Sequence, residues 1–219
     1  MRYPAYLELG PNGHTIAYVF ALPGLVVRTR RADDALAALP AAVAAELARL
    51  RAAGRAVAAE DDAIAIAEAE RITVATDVEH GVTQAMFKYE LRPTRDEDVA
   101  LALDRMALAR EEILRALEGA EPGGTPAGEA LVAQADGEWW LVSKLGTRPL
   151  ASFPLEPLAR FEAVRAMTIE RLANLLPGDR ERHAVFGGEQ WTTRKVLRRL
   201  ACLARDTAQA IAQAAMPRA

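Results

Sequence analysis

Cysteine and histidine are scarce in this chain of 219 residues, which contains one cysteine, Cys202, and three histidines. A single cysteine can form neither an internal disulfide nor a multi-cysteine metal cage. The sequence also lacks a basic-then-apolar leader and any apolar run near the roughly 20 residues that span a bilayer. We therefore expect a cytoplasmic protein with no membrane partner.

The sequence also lacks an excess of either charge, because 27 basic residues are scattered among 30 acidic ones and the net charge is -3. Such a balance disfavours nucleic acid as a partner. The sequence contains no phosphate-binding glycine loop, no His-Glu-x-x-His and no Gly-x-Ser-x-Gly. The 51% hydrophobic content is nevertheless ample for a buried core.

The first part of the chain has the pattern of a small sheet with one helix. Short β-branched and aromatic runs separated by glycine and proline predict strands, and leucines at three- and four-residue spacing predict a helix. The predicted order is β-β-β-α-β: strands at Tyr3–Leu9, Thr15–Phe20 and Leu25–Thr29, a helix at Ala32–Gly54, and a strand at Arg71–Asp77. We place an α+β domain at residues 1–80.

The remainder is predicted to be helical, after a junction at residues 81–93. Its capping signals and apolar spacing predict four helices, at Thr94–Gly119, Glu129–Leu145, Leu155–Leu176 and from Thr192 or Thr193 to about Met216. Four amphipathic helices with short connections predict a four-helix bundle over residues 94–219. The predicted fold class is α+β, a small sheet domain followed by an all-α bundle.

The first 77 residues resemble the HicB-like antitoxin domain. The resemblance lies in Gly13, Leu22-Pro23-Gly24, the acidic helix start Asp33-Asp34-Ala35-Leu36 and the closing Gly54, which occur in the family's order. It implies a reduced ribonuclease-H-like sheet whose role is binding, often of a small toxin.

The segment from Phe87 to Pro217 resembles the DinB-like (YfiT-like) helical bundles. Their last helix opens with a pattern that is seen here as Trp191-Thr192-Thr193-Arg194-Lys195-Val196-Leu197. The run Glu138-Trp139-Trp140 in the second helix is also typical of these bundles. The resemblance implies a bundle that typically holds a divalent metal with three histidines, one on the second helix and two on the last.

None of the family's three ligand positions is a histidine here. Alignment on Trp191 puts them near Ala133, Cys202 and Asp206, and Asp136 lies about one turn beyond Ala133. Cys202 and Asp206 are one helical turn apart on one face, so with Asp136 they could form a substituted metal site. Free cysteine is usually a small buried hydrophobe, however, and the two aspartates fit exposed helix positions.

We therefore expect a non-catalytic binding or regulatory protein of bacterial type, with no catalytic, cofactor-binding or metal-binding residues. One alternative is a metal-dependent hydrolase or thiol transferase that uses Asp136, Cys202 and Asp206 with a divalent metal. Another is an antitoxin-like binder of a small ribonuclease toxin. The partners considered are a protein or a second copy in a homodimer.

Two further expectations concern the bundle's surface. Four basic residues are interpreted as a solvated helix face rather than a nucleic-acid patch: Arg194, Lys195, Arg198 and Arg199. Trp139 and Trp140 point about 100° apart on a helix, so one is expected in the core and the other toward a pocket or a partner.

Overall fold

The fold is described from a computed structural model of residues 1–57, 63–76, 78, 83–118, 125–147 and 152–214. The chain divides into two compact units, Met1–Leu91 and Arg92–Ala219. The predicted α+β class is confirmed, with a sheet first and helices after it.

The first unit is a four-stranded mixed sheet with one long helix. The elements are β1 (Arg2–Leu9), β2 (Thr15–Tyr18), β3 (Val26–Thr29), α1 (Ala32–Ala52), β4 (Ala65–Thr73) and a 3-10 turn (Lys88–Leu91). The strand order is β3-β2-β1-β4, in which β1, β2 and β3 are antiparallel neighbours and β4 is parallel to β1. The three strands predicted ahead of the helix are all present.

The fourth strand was predicted too late in the chain. It begins at Ala65, pairs with β1 from Arg2↔Ala65 to Leu9↔Thr73, and has an irregularity at Ala5/Tyr6. Most of its side chains are partly or fully exposed, and its alternation is built on alanine, a weak strand former, which hides the strand pattern. Asp77, the predicted end of this strand, and residues 79–82 lie outside the described residues.

The two faces of the sheet are filled differently. α1 packs on the face that carries Tyr3, Ala5 and Leu7, all buried. On the other face Glu8 is fully buried, and its carboxylate accepts hydrogen bonds from the Tyr18 hydroxyl at 3.0 Å and from the Ala85 amide at 2.9 Å. This carboxylate thus ties the segment that follows β4 to the middle of the sheet, because a buried charge must find donors.

The second unit is built on four long helices and a small hairpin. Its elements are α2 (Asp96–Ala116), α3 (Pro126–Ser143), α4 (Pro157–Ala173), α5 (Pro177–Arg180), β5 (His183–Phe186), β6 (Glu189–Thr192) and α6 (Thr193–Ala214). α6 packs against α2 and α3, and α4 packs against α3 and more lightly against α2. The predicted helices are present, but α5 and the β5–β6 hairpin were not predicted.

The helix ends differ from the predicted ones by a few residues because other side chains cap them. The cap of α2 is Arg95, one residue after the predicted cap at Thr94, and the Asp98 carboxylate accepts a hydrogen bond from the Arg95 amide. Thr125 caps α3, and Glu156 caps α4. The predicted cap of α6 is confirmed, since the Thr192 hydroxyl accepts from the Lys195 amide at 3.2 Å. The predicted end near Met216 lies outside the described residues, as do residues 119–124.

A glycine inside α3 lets two helices approach closely. A Cβ atom on Gly137 would lie 2.9 Å from Cδ2 of Leu203 on α6. Glycine destabilises a helix interior, so its use here reflects the close contact between α3 and α6.

Among the described residues, no helix combines the length and apolar character that crossing a membrane requires.

Candidate functional site

A buried ion pair lies inside the helical unit and joins α3 to α4. The Arg165 guanidinium donates from Nε and Nη2 to the Glu138 carboxylate at 2.9–3.0 Å. Glu138 is fully buried and Arg165 is 2% exposed. A bidentate pair of this kind is strong and geometrically specific, so it fixes the positions of both side chains.

Two further side chains extend this pair into a polar network. Gln134, one turn before Glu138 on α3, donates from Nε2 to the same carboxylate at 3.0 Å. The Thr207 hydroxyl on α6 donates to the Gln134 side-chain oxygen at 2.7 Å. Arg165 Nη1 donates to the backbone oxygen of Met106 on α2 at 2.8 Å. The network, defined here as Gln134, Glu138, Arg165 and Thr207, therefore contacts all four long helices.

The side chains of the network are poorly placed to bind a ligand or transfer a proton, because they are hydrogen-bonded to one another. Three donor groups from two side chains hold the Glu138 carboxylate, and an arginine guanidinium does not lose its proton in proteins. Its geometry is that of a structural connection between helices, which satisfies buried polar atoms.

Asp136, the first predicted metal candidate, lies on the exposed side of α3. Its carboxylate forms an ion pair with Arg160 on α4, and its side chain is 53% exposed. The expectation of a helix-surface acid is correct. The residue at the family's ligand position, Ala133, is also exposed.

Cys202 and Asp206 lie one turn apart on α6, and both are partly buried. Cys202 was expected to be a small buried hydrophobe and Asp206 to occupy an exposed helix position, whereas the structure places both at intermediate exposure. They occupy intermediate positions because α6 is covered by α2 and α3 over only part of its circumference. Among the described residues, no three His, Cys, Asp or Glu side chains are placed to hold a metal together.

The basic residues at the start of α6 are not solvated, contrary to prediction. Arg194 is 6% exposed, Lys195 is fully buried and Arg198 is 7% exposed. Arg194 donates to the backbone oxygens of Arg92 and Pro93 and pairs with Asp98. The buried Lys195 ammonium instead donates to the backbone oxygen of Gln190 and pairs with Glu189, so Arg194 and Lys195 both have acceptors in the interior.

The adjacent tryptophans of α3 differ in exposure, but neither belongs to the core, contrary to the expectation that one of them would. Trp139 is partly buried and packs edge-on against Phe153 at a centroid distance of 5.7 Å. Trp140 is 43% exposed and packs edge-on against the buried Trp191 at 5.2 Å. Trp140 therefore presents an aromatic surface to solvent.

An open depression of about 350 Å³ lies between α2 and α6. Its walls include Glu112, Arg115, Arg205 and Gln209, and Arg205 pairs with Glu112 at 3.2 Å. None of the three predicted metal candidates lines this depression.

Sequence reasoning missed the polar network, although one local signal for it exists. Gln134 and Glu138 are four residues apart in a run from Leu131 to Val142 that is apolar apart from these two and Asp136, which puts both on the same buried face. Arg165 carries no comparable signal, because arginines are common throughout the chain. No protein-family model, curated protein or solved structure matches this chain, and the HicB-like and DinB-like resemblances stay predictions.

Proposed function

We propose that this chain is a non-catalytic binding or regulatory protein whose helical unit is a DinB-like scaffold without the metal chemistry of that family. The observation that carries the proposal is the buried network, in which the side chains of Gln134, Glu138, Arg165 and Thr207 are hydrogen-bonded to one another. A carboxylate used as a general base or a ligand must be able to reach substrate or metal, whereas Glu138 is held by Arg165 and Gln134.

The positions that would supply a substituted metal site also support this proposal. Asp136 is engaged by Arg160 on the exposed side of α3, and Cys202 and Asp206 supply at most two ligands from one helix. A catalytic zinc site normally uses three protein ligands with an open position. The alternative enzyme, a metal-dependent hydrolase or thiol transferase, would therefore need a different placement of these side chains.

Metal content tests the proposal. The full chain, purified without an affinity tag or chelator, is assayed for zinc, nickel, manganese and iron, and its thermal melt is followed with and without each added ion. We expect no stoichiometric metal and no increase in Tm, whereas an ion at 100 times its Kd would add about 2.7 kcal/mol to the free energy of unfolding.

The matched variants are Cys202→Ala, Asp206→Ala and, as a control on an exposed acid of the first unit, Asp34→Ala. One metal ion per chain that is lost in the first two variants and kept in the third would overturn the proposal.

The edge of the sheet favours a second candidate, binding of a protein partner by the first unit. β4 is the last strand in the sheet order and pairs with β1 on one side. A strand at a sheet edge can pair with a strand of another chain. This supports the antitoxin-like alternative or a homodimer. Light scattering that shows a monomer, together with the absence of a neighbouring gene for a small basic protein, would count against it.

A further inference from the structure

Cations and aromatic rings converge where α3 ends and the β5–β6 hairpin leads into α6. Six residues define this cation–aromatic surface: Trp140, Lys144, Phe186, Trp191, Lys195 and Arg199. The Lys144 ammonium lies 4.2 Å from the centre of the Trp140 ring and 5.2 Å from that of Phe186. The Arg199 guanidinium lies 5.0 Å from the Trp140 ring and 4.9 Å from the Trp191 ring.

The cations of this surface differ in their partners. Glu189 contacts two of them, Lys195 at 2.8 Å and Arg199 at 3.3 Å. Lys144 has no carboxylate within ion-pair distance in the part of the chain that the structure describes. The Lys144 ammonium is therefore a positive group beside exposed aromatic rings, without a carboxylate partner among the described residues.

The environment of Lys144 favours an added negative charge. Burial lowers the pKa of its ammonium, and Arg199 lowers the pKa further, while Glu189 acts in the opposite direction. An anion beside Lys144 would stabilise the ammonium and offset part of that desolvation. Lysine is also rare in this chain, with only three among 27 basic residues, yet two of the three lie on this surface.

The aromatic rings add an apolar contact for the body of a ligand. Trp140 is 43% exposed and Phe186 is 38% exposed, and both rings contact the Lys144 ammonium. The indole N–H of Trp191 is a buried donor that has no acceptor among the described residues. Pockets for small molecules combine a few polar groups with aromatic walls in this way.

We propose that the cation–aromatic surface binds a compact oxyanion, a carboxylate or a phosphate, attached to an aromatic group. Lys144 and Arg199 pair with the oxyanion, and Trp140 and Phe186 contact the aromatic body. This assignment rests on the proposed binding function and names the ligand class for it. A lysine ammonium and an arginine guanidinium both suit carboxylate and phosphate.

A fluorescence titration of the full chain tests the assignment. All three tryptophans lie in the second unit and two of them belong to the surface, so tryptophan emission reports occupancy. The probes are phenylacetate, phenyl phosphate and, as a neutral analogue, phenylacetamide, all at one ionic strength. We expect a saturable change with at least one anion and a weaker response with the neutral analogue. The tighter anion identifies the source as carboxylate or phosphate.

Variants separate specific binding from general charge effects. Lys144→Met should weaken binding about tenfold or more, equivalent to about 1.4 kcal/mol, whereas Lys88→Met, on an exposed lysine of the first unit, should leave it unchanged. Lys144→Arg keeps the charge and should retain binding, which guards against a folding defect in the methionine variant. No saturation with either anion, or equal losses in the two methionine variants, would overturn the assignment.

The metal measurement keeps the two proposals distinct. If neither anion binds and no metal is found, the ligand assignment fails and the non-catalytic proposal stands. If one metal per chain is found, the non-catalytic proposal fails, whatever the anions do.

Discussion

Removal of the Arg165 charge is the most informative perturbation of the helical unit. Arg165→Met keeps most of the apolar stem but leaves the fully buried Glu138 carboxylate with Gln134 as its remaining hydrogen-bond donor among the contacts described. Breaking a buried ion pair by removing one partner costs about 3–5 kcal/mol, because the other charge is left uncompensated. We expect the free energy of unfolding to fall by about that amount.

A double variant and a surface control test the cause. Glu138→Leu combined with Arg165→Met removes both charges, and such replacements are often neutral, although Gln134 then loses its acceptor. We expect the double variant to recover at least about half of the loss. Arg160→Met, which breaks the pair with the 53% exposed Asp136 on the same two helices, should cost no more than about 1 kcal/mol.

Urea unfolding followed by tryptophan emission measures these values. The chain has two units, so a single two-state transition is not assumed, but all three tryptophans lie in the second unit and report on it alone. The reasoning would be refuted if Arg165→Met lost no more stability than Arg160→Met, or if the double variant were as unstable as Arg165→Met.

Two further predictions use the same unit. Thr207→Val removes the hydroxyl that donates to Gln134, so the free energy of unfolding should fall by about 1–3 kcal/mol in the urea assay. Thr168→Val removes a buried hydroxyl that has no partner among the described residues, so it should be nearly neutral. Equal losses in the two variants would contradict this prediction. Because burial lowers the pKa of Lys144 below its ordinary value of 10.5, acetylation monitored by mass spectrometry should label it at lower pH in the folded chain than in urea. At pH values between the pKa of Lys144 in the folded chain and its pKa in the unfolded chain, the unfolded chain holds a proton that the folded chain has lost. The contribution of Lys144 to stability therefore rises with pH. Identical labelling profiles in the folded and unfolded chains would argue against this prediction.

Local patterns were sufficient for much of the fold. β1, β2 and β3 carry β-branched or aromatic residues between glycine turns, and α1 has leucines and a valine on one buried face. These features are properties of neighbouring residues, so the sequence alone reveals them. The predicted position of β4 was wrong because its alanines give a weak strand signal and because it pairs with β1 residues that lie 63 or 64 positions earlier in the chain.

The β5–β6 hairpin could have been found with closer attention to its turn. Gly187 and Gly188 both have positive φ, of 60° and 82°, and separate two runs of four residues. A Gly-Gly pair between short apolar or aromatic runs is a known hairpin signal, because both turn positions then tolerate positive φ. The hairpin matters for the candidate site, since it carries Phe186 and Trp191.

The basic residues of α6 show why charge is a weak guide to exposure. Periodicity treats Arg194 and Lys195 as surface residues, but each is buried and bonded to backbone oxygens. Those oxygens belong to Arg92, Pro93 and Gln190, and only the folded chain brings the first two to α6. Buried cations of this kind follow from tertiary contacts, which single-sequence patterns do not contain.

The buried network and the cation–aromatic surface are connected through α3. Glu138 faces the interior, while Trp140, two residues later, lies on a different side of α3, and Lys144 caps the end of that helix. The ion pair with Arg165 fixes the rotation of α3 about its axis, because the Glu138 carboxylate cannot leave its donors without becoming an unpaired buried charge. The directions of Trp140 and Lys144 are fixed along with it. Under the proposed function, the buried network would serve binding by holding the ring and the ammonium in place before a ligand arrives.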